Sequence, residues 1–417
     1  MAIGYRHKEG SGPAARVLLF GVTLAIILIC FCNWLPALAL PERVKVRLFE
    51  ARETVPEVKI SGVGRIVSPL EKPLRSREGG YLLKVDGGQV GLYMVSRQGR
   101  EGSASRLLRV LRSSRIILES DDPRGLELIF PGRSPCRYSG ALSFSVGRSG
   151  GRNSLDVVND VSVREFVYGI VASELPLSFH PEAKKALAVL TLTRLEFLPD
   201  RRAIGDSTKS ELYTGCGRVT NSLRELVDQV FGQRLFFKGH LVLPYYHSTC
   251  SGATSDGKEL FRGNGEDLGY LQAVKCEHCK KSPFYDFKTA IVPGNKIRAL
   301  FNGALPVVRK RDPFGRPLSV EVQGVKGDLS GYKAWITLGR GLGWGKIPGT
   351  RFYLRDLAQG SSGMEQSPSD SQSRIEIRSS GAGHGVGLCQ WGAHGLACGG
   401  RSYREILSFY FPRAKVK

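Results

Sequence analysis

Val17 to Leu35 runs for 19 residues without a charged side chain, behind a start that carries Arg6, Lys8 and Arg16. A run this long and apolar is rare inside a water-soluble domain and long enough to cross a bilayer. It closes at Pro36 and the small-residue triplet Ala37-Leu38-Ala39, so the order is a basic n-region, an apolar h-region and an A-x-A site, as in a secretory signal. The run also suits an uncleaved membrane anchor, and both readings stay open. Either way residues 1–40 stand apart, and residues 41–417 have to fold outside the cytoplasm, in the periplasm or elsewhere in the cell envelope.

Sixty Lys and Arg against 38 Asp and Glu give a formal charge of +22 over 417 residues. Such an excess favours a polyanionic partner: nucleic acid, an anionic membrane surface or anionic wall polymers. Export makes nucleic acid a poor candidate and leaves wall or membrane. At 41% hydrophobic and 24% charged the chain has an ordinary globular balance, which excludes a disordered or fibrous protein.

Cys30 and Cys32 fall in the leader, leaving Cys136, Cys216, Cys250, Cys276, Cys279, Cys389 and Cys398. An odd number cannot close a complete disulfide framework within one chain. Cys276-Glu277-His278-Cys279 is a C-x-x-C that reads equally as a zinc half-site, a redox pair or an incidental structural pair.

After the leader, residues 41–155 read as a small β-rich N-terminal region, with β-prone stretches at 42–49, 81–85 and 115–118 between glycine and charged turns. Residues 156–417 read as the main domain. Its best helix starts at Pro181, a first-turn proline, and carries Ala183, Ala186, Leu187, Leu190, Arg194 and Phe197 at helical spacing until Pro199 stops it. That stripe is expected to be a core face. Strand-like segments come later at 318–322 and 350–354, and the polar stretch 359–372 reads as a flexible loop. The expectation is an α+β fold, a mixed β-rich enzyme with a short helical core around an active-site cleft.

Chemistry concentrates at Gly383-His-Gly-Val-Gly-Leu-Cys-Gln-Trp-Gly-Ala393. Glycines at this density let the backbone take a tight path that brings His384 and main-chain N–H groups against a ligand. The spacing fits neither a phosphate-binding P-loop nor a dinucleotide fold. By itself it is a binding loop of unspecified ligand.

That block, continued by Ser402-Tyr-Arg-Glu-Ile-Leu-Ser-Phe-Tyr-Phe-Pro412, resembles the C-terminal signature of the SpoIID/LytB family of sporulation and cell-wall proteins. Three upstream blocks match in the family's order: Tyr168-Gly-Ile-Val-Ala-Ser-Glu-Leu-Pro176 with Pro181-Glu-Ala183, Asp206-Ser-Thr208 with Tyr213, and Tyr246-His-Ser-Thr-Cys-Ser-Gly-Ala-Thr254. The resemblance is weak before residue 155 and strong after it.

The resemblance implies a peptidoglycan lytic transglycosylase, which breaks the β-1,4 bond between N-acetylmuramic acid and N-acetylglucosamine and leaves a 1,6-anhydro product. It makes Glu174 the catalytic acid. One carboxylate suffices for that reaction, because the sugar's own C6 hydroxyl attacks, and Glu174 can first donate and later accept a proton. A raised pKa would suit the task, and Ala172, Leu175 and Pro176 offer a poorly hydrated setting. A surface Glu capping the following helix is the plainer reading. His384, Gln390, Tyr213, His247 and Ser248 suit gripping acetamido sugars, or are satisfied structural groups.

Implied partners are glycan strands, a wall amidase, and the membrane if the leader stays; nucleic acid is not among them. The reaction requires no cofactor, and zinc is raised only by the cysteines. Cys250, Cys279 and Cys389 fall inside motif blocks, where a thiolate metal site, a disulfide and plain burial all remain open. Departures from the family pattern are Arg194 where an arginine is expected two positions earlier, Lys209-Ser210 in place of a His-Cys pair, Ser251 for a glycine and Phe287 for a tryptophan. Two rival functions are a non-catalytic wall-binding modifier of an amidase, and an amidase using Cys276, Cys279 and nearby histidines.

Overall fold

The computed structural model describes residues 41–49, 54–75, 80–96, 106–198, 203–207, 212–260, 267–357 and 373–417. The leader, the 359–372 stretch and residues 208–211 with Lys209 and Ser210 lie outside them. Glu42–Lys417 form one compact unit. Among the described residues no helix is long and apolar enough to cross a membrane.

The alternation in Arg43–Leu48 places Val44, Val46 and Leu48 inward and the basic residues outward, as a strand with one buried face requires. This strand lies in a seven-stranded sheet, between the parallel pair Ile204–Gly205 and the antiparallel strand Arg152–Ser162. Beyond come Ala141–Ser149, Arg115–Ser120, Val63–Ser68 and Lys72–Arg75. A six-stranded sheet carries Cys136–Tyr138, Leu126–Ile129, Glu57–Ser61, Tyr81–Asp86, Gln89–Ser96 and Arg106–Ser113 in that order. Strands of the two sheets pack together, burying Val58, Ile60, Leu83, Leu92, Ile116, Leu118 and Phe144. Arg152–Ser162 runs across the boundary expected near 155 and feeds directly into the first helix.

The described residues contain eight helices: α1 Val163–Glu174, α2 Pro181–Leu195, α3 Asn221–Asp228, α4 Gly257–Leu260, α5 Gly294–Leu300, α6 Gly331–Leu342, α7 Gln390–Cys398 and α8 Tyr403–Tyr410. With the sheets they make the mixed α+β, β-rich fold expected from the sequence. Helix α2 begins at Pro181 as anticipated, with His180 as its cap. Ala186 to Thr193 are buried on every side, so α2 is an interior helix rather than an amphipathic one. It packs against α1, α3, α7 and α8. Phe197, placed on the same stripe, lies past its end and is exposed.

A second core, of Val292, Ile297, Phe301, Val320, Trp335, Ile347, Phe352 and Ile377, joins α5 and α6. Two three-stranded sheets lie beside it, Lys288–Pro293 with Arg374–Ser380 and Arg351–Asp356, and Val307–Arg311 with Pro317–Glu321 and Leu329–Ser330.

One buried polar knot ties the first sheet to the 212–214 segment. Asn159, fully buried, donates from Nδ2 to the carbonyls of Ser139 (2.9 Å) and Ala141 (3.2 Å), and its Oδ1 accepts from the Tyr213 hydroxyl at 2.8 Å. Tyr213→Phe leaves that oxygen unsatisfied in the interior, which costs about 1–3 kcal/mol. Urea unfolding of the variant reads the loss directly, and an unchanged midpoint would show that the bond contributes nothing.

Candidate functional site

Helix α1 opens on Ser162, whose hydroxyl accepts from the Glu165 N–H at 3.3 Å, and buries Phe166, Val167, Ile170 and Val171. It stops at Glu174 because Leu175 turns to an extended conformation (φ −114°, ψ 139°), with Pro176 behind it. Glu174 therefore occupies the helix C-terminus, where the dipole and the free carbonyls disfavour a negative charge. It does not cap α2, which His180 caps.

Three segments distant in sequence converge on its carboxyl group. Oε1 accepts from the Leu212 N–H at 2.8 Å and the Tyr246 hydroxyl at 3.1 Å, and Oε2 accepts from Gln390 Nε2 at 3.2 Å. Burial raises the Glu174 pKa above the ordinary carboxylate value, although these donors and the Arg194 guanidinium pull the other way. Ser173, the preceding residue, holds the 212–214 segment in place: its hydroxyl bonds Thr214 Oγ1 at 2.7 Å and accepts from the Thr214 N–H at 3.0 Å.

Tyr246 and Gln390 arrive together because Tyr246–His247 pairs in parallel with Leu388–Cys389, with Tyr246 opposite Leu388 and His247 opposite Cys389. Gln390 is the first residue of α7, and Cys389 caps that helix, its sulfur accepting from the Gly392 N–H at 3.3 Å. Leu175, Phe179 and Leu187 pack beneath, with Tyr246 and Trp391 against them.

The glycine loop closes over this pair of strands. Gly383, Gly385 and Gly387 all have positive φ. A Cβ on Gly387 would lie 2.2 Å from the Tyr245 carbonyl oxygen, and one on Gly383 would lie 2.9 Å from the His247 Cβ, so both positions need the missing side chain as well as the left-handed backbone.

The loop presents His384, whose Nδ1 accepts from the Val386 N–H at 3.1 Å. Burial, with Arg194 nearby, pushes the His384 pKa down to about 4, so the ring is a neutral imidazole at neutral pH. It also hydrogen-bonds the Tyr246 backbone, so Tyr246 touches Glu174 with its phenol and His384 with its main chain. His247, only 4% exposed, bonds the Val386 carbonyl through Nδ1 at 3.0 Å. Its ring centroid lies 5.6 Å from that of His384.

Of the residues singled out in the sequence, Glu174 and Gln390 are thus in direct contact, His384 adjoins them, and His247 lies beneath the loop. The Ser248 carbonyl receives the Trp391 N–H at 3.1 Å, while its hydroxyl faces Thr249 Oγ1 at 3.3 Å. Tyr213 is 2% exposed and sits among Phe166, Tyr138 and Asn159. No face of that ring is open to a sugar, and its place is structural. Asp206, from the same block, accepts from the Phe49 N–H at 2.6 Å.

Three contributors are not singled out in the sequence, and a fourth, Arg194, stands there only as a helix position and a departure from the family pattern. Tyr246 and Trp391 stood inside quoted motifs, and the Leu212 amide is a backbone group that no side-chain pattern reveals. Arg194 sits in the last turn of α2 and acts on both Glu174 and His384. Ser251, where the family pattern has glycine, adopts φ 55°, which explains the glycine preference there. Phe287 stacks near Tyr353 at 5.6 Å and lies under the guanidinium groups of Arg351 and Arg378.

The cysteines divide. Cys136, Cys216 and Cys398 stand apart, whereas the sulfurs of Cys250, Cys276, Cys279 and Cys389 all lie within 4.8 Å of one another, all buried and all free.

A carboxyl whose pKa is raised by folding destabilises the fold only when ionised. That burden is absent below the unfolded value of about 4.3 and develops as pH rises through the higher folded value. The unfolding free energy of Glu174→Gln, compared with the wild type, is therefore expected to gain as pH rises above the unfolded value and to level off once the raised folded value is passed. Chemical denaturation across that range measures it, and a difference that stays flat would mean that Glu174 titrates as an ordinary surface carboxylate.

Residues 151–237, which hold α1, α2 and Glu174, match the family model SpoIID, Stage II sporulation protein. The chain is 27% identical to Stage II sporulation protein D of Bacillus amyloliquefaciens over 283 residues, covering 62% of this chain and 75% of that protein. It is 24% identical to Stage II sporulation protein D of Bacillus subtilis strain 168 over 289 residues, 64% of this chain and 77% of that one. An uncharacterized protein of Brachyspira hyodysenteriae is 25% identical over 272 residues, 62% and 67% of the two chains. The chain carries a SpoIID-family segment at residues 151–237 and is similar over most of its length to Stage II sporulation protein D.

Proposed function

We propose that the chain is a peptidoglycan lytic transglycosylase that cleaves the MurNAc–GlcNAc β-1,4 bond, with Glu174 as its single general acid and base. The cell-wall role of SpoIID proteins in sporulation supports the substrate class. The observation that carries the chemistry is the setting of Glu174: a buried carboxyl at a helix C-terminus, held by three donors, whose charged influence among the described residues is a cation, Arg194. Paired-carboxylate hydrolysis calls for a second acidic side chain within several ångströms of the first.

In this reading neutral Glu174 protonates the glycosidic oxygen as the C1–O4 bond breaks. The C6 hydroxyl then attacks C1 and returns its proton to the carboxylate, closing the 1,6-anhydro ring. Raising the pKa keeps the proton available for the first half. The Leu212, Tyr246 and Gln390 donors with Arg194 steady the carboxylate in between. Trp391 and Tyr246 supply aromatic surface beside the carboxyl that suits a sugar ring. The amidase reading rests on Cys276, Cys279 and the nearby histidines, and both cysteines are fully buried and so out of reach of a wall peptide.

The test is a digest of purified peptidoglycan, intact and amidase-denuded, by the full-length chain and its Glu174→Gln variant, read by mass spectrometry. Anhydro-muropeptides or anhydro-disaccharides are expected, falling about 10²–10⁴-fold in the variant. Free stem peptides would overturn the reading in favour of an amidase, and no product from either substrate would replace it with a wall-binding modifier of another enzyme. Tyr246→Phe removes a hydrogen bond to the ionised form and so raises the Glu174 pKa further. The alkaline limb of its pH–rate profile should move to higher pH, and a shift to lower pH would refute the role given to that hydroxyl.

A further inference from the structure

We propose that Cys250, Cys276, Cys279 and Cys389 form a closed four-thiolate metal site for zinc, which clamps together the two strands that deliver Tyr246 and Gln390 to Glu174. Four sulfurs around one zinc at a bond length of about 2.3 Å lie about 3.8 Å apart along the edges of a tetrahedron. Here Cys250 and Cys279 are 3.5 Å apart and all four fall within 4.8 Å of one another. A set this tight has room for one ion at its centre, and four soft sulfur ligands in that geometry select zinc over harder cations.

Hydrogen-bond donors are aimed at two of the four sulfurs. Cys389 accepts N–H groups from Cys250 and Gly392, both at 3.3 Å, and stands at the N-terminus of α7, where negative charge is favoured. The Tyr410 hydroxyl lies 3.1 Å from the Cys276 sulfur, inside the core. A Cβ on Gly392 would come within 2.7 Å of that sulfur and 2.0 Å of the Tyr410 hydroxyl, so the glycine keeps the space around the ligand clear.

The charge balance points the same way. Arg316 is 2% exposed and donates to the carbonyls of Cys250 and Ala253. Its carboxylate partner Asp312 is 3.7 Å away, and its Nε and Nη1 have no hydrogen-bond partner among the described residues. A buried guanidinium is costly without negative charge nearby. Four thiolates around a divalent ion leave a net negative charge to face it.

The ligands come from parts of the chain that nothing else joins covalently. Cys250 follows the strand carrying Tyr246, Cys276 and Cys279 form a knuckle paired to Gly252–Ala253, and Cys389 lies in the strand leading to Gln390. Every ligand is buried, so the ion has a structural place and no open position for substrate. The inference does not depend on the reaction assigned to Glu174.

The full-length chain, purified without chelators, should contain one zinc per chain by elemental analysis. Replacement by Co²⁺ should give the visible d–d bands and near-ultraviolet thiolate charge-transfer of a tetrahedral four-sulfur site. Cys276→Ser should lose the ion, whereas Cys398→Ser, at an exposed cysteine outside the set, should keep it. A metal-free chain whose thiols titrate freely would overturn the proposal, as would a non-reduced mass lighter by two hydrogens for each disulfide bridge. If Cys276→Ser fails to fold, the cobalt spectra of the wild type and Cys398→Ser decide.

Discussion

A carboxyl group buried at the negative end of a helix is unstable unless its neighbours are supplied by the fold, and much of this molecule's organisation serves that one group. Glu174 ends α1, yet none of its three donors belongs to α1. The 212–214 segment is pinned by Ser173, Tyr246 comes from a short strand, and Gln390 opens α7. Interior helix α2 packs against both α1 and α7 and brings Arg194 to the site. The donors lower the carboxyl's pKa and burial raises it; burial wins, leaving an acid tuned upward but not abandoned.

Strain and burial concentrate in the same neighbourhood. Positive φ at Gly383, Gly385, Gly387 and Ser251 shapes the backbone around two histidines, both held neutral by burial. Neutral rings donate and accept hydrogen bonds without adding charge beside an acid whose proton must stay available. The cysteine cluster includes Cys389 of that strand pair and Cys250 just beyond it, and Arg316 donates to the Cys250 carbonyl. Rigidity there matters because Tyr246 and Gln390 contact the carboxyl at hydrogen-bond distances that small movements would break.

Some of this was legible in the chain. The β-prone stretch at 42–49 holds the strand Arg43–Leu48, and Pro181 marked the start of α2. The density of glycine in 383–393 announced a tight loop, and the ordered motifs singled out Glu174. The helical stripe predicted one buried face for α2, whereas the fold buries its middle completely, because four other helices surround it. Tyr213, itself a candidate for gripping a sugar, belongs to the core, where its hydroxyl answers Asn159.

The sequence by itself determined the local events: where strands and helices begin, which positions need glycine, and which carboxylate follows a helix into a proline. These depend on near neighbours, through side-chain alternation, capping and backbone sterics. Only the tertiary structure decided that Leu212, Tyr246, Gln390 and Arg194 meet at Glu174, and that four cysteines spread from 250 to 389 become one cluster. Those outcomes depend on strand pairing and helix packing between segments 20 to 216 residues apart, and the cost of desolvating a charge or a thiol exists only once that packing has removed the water.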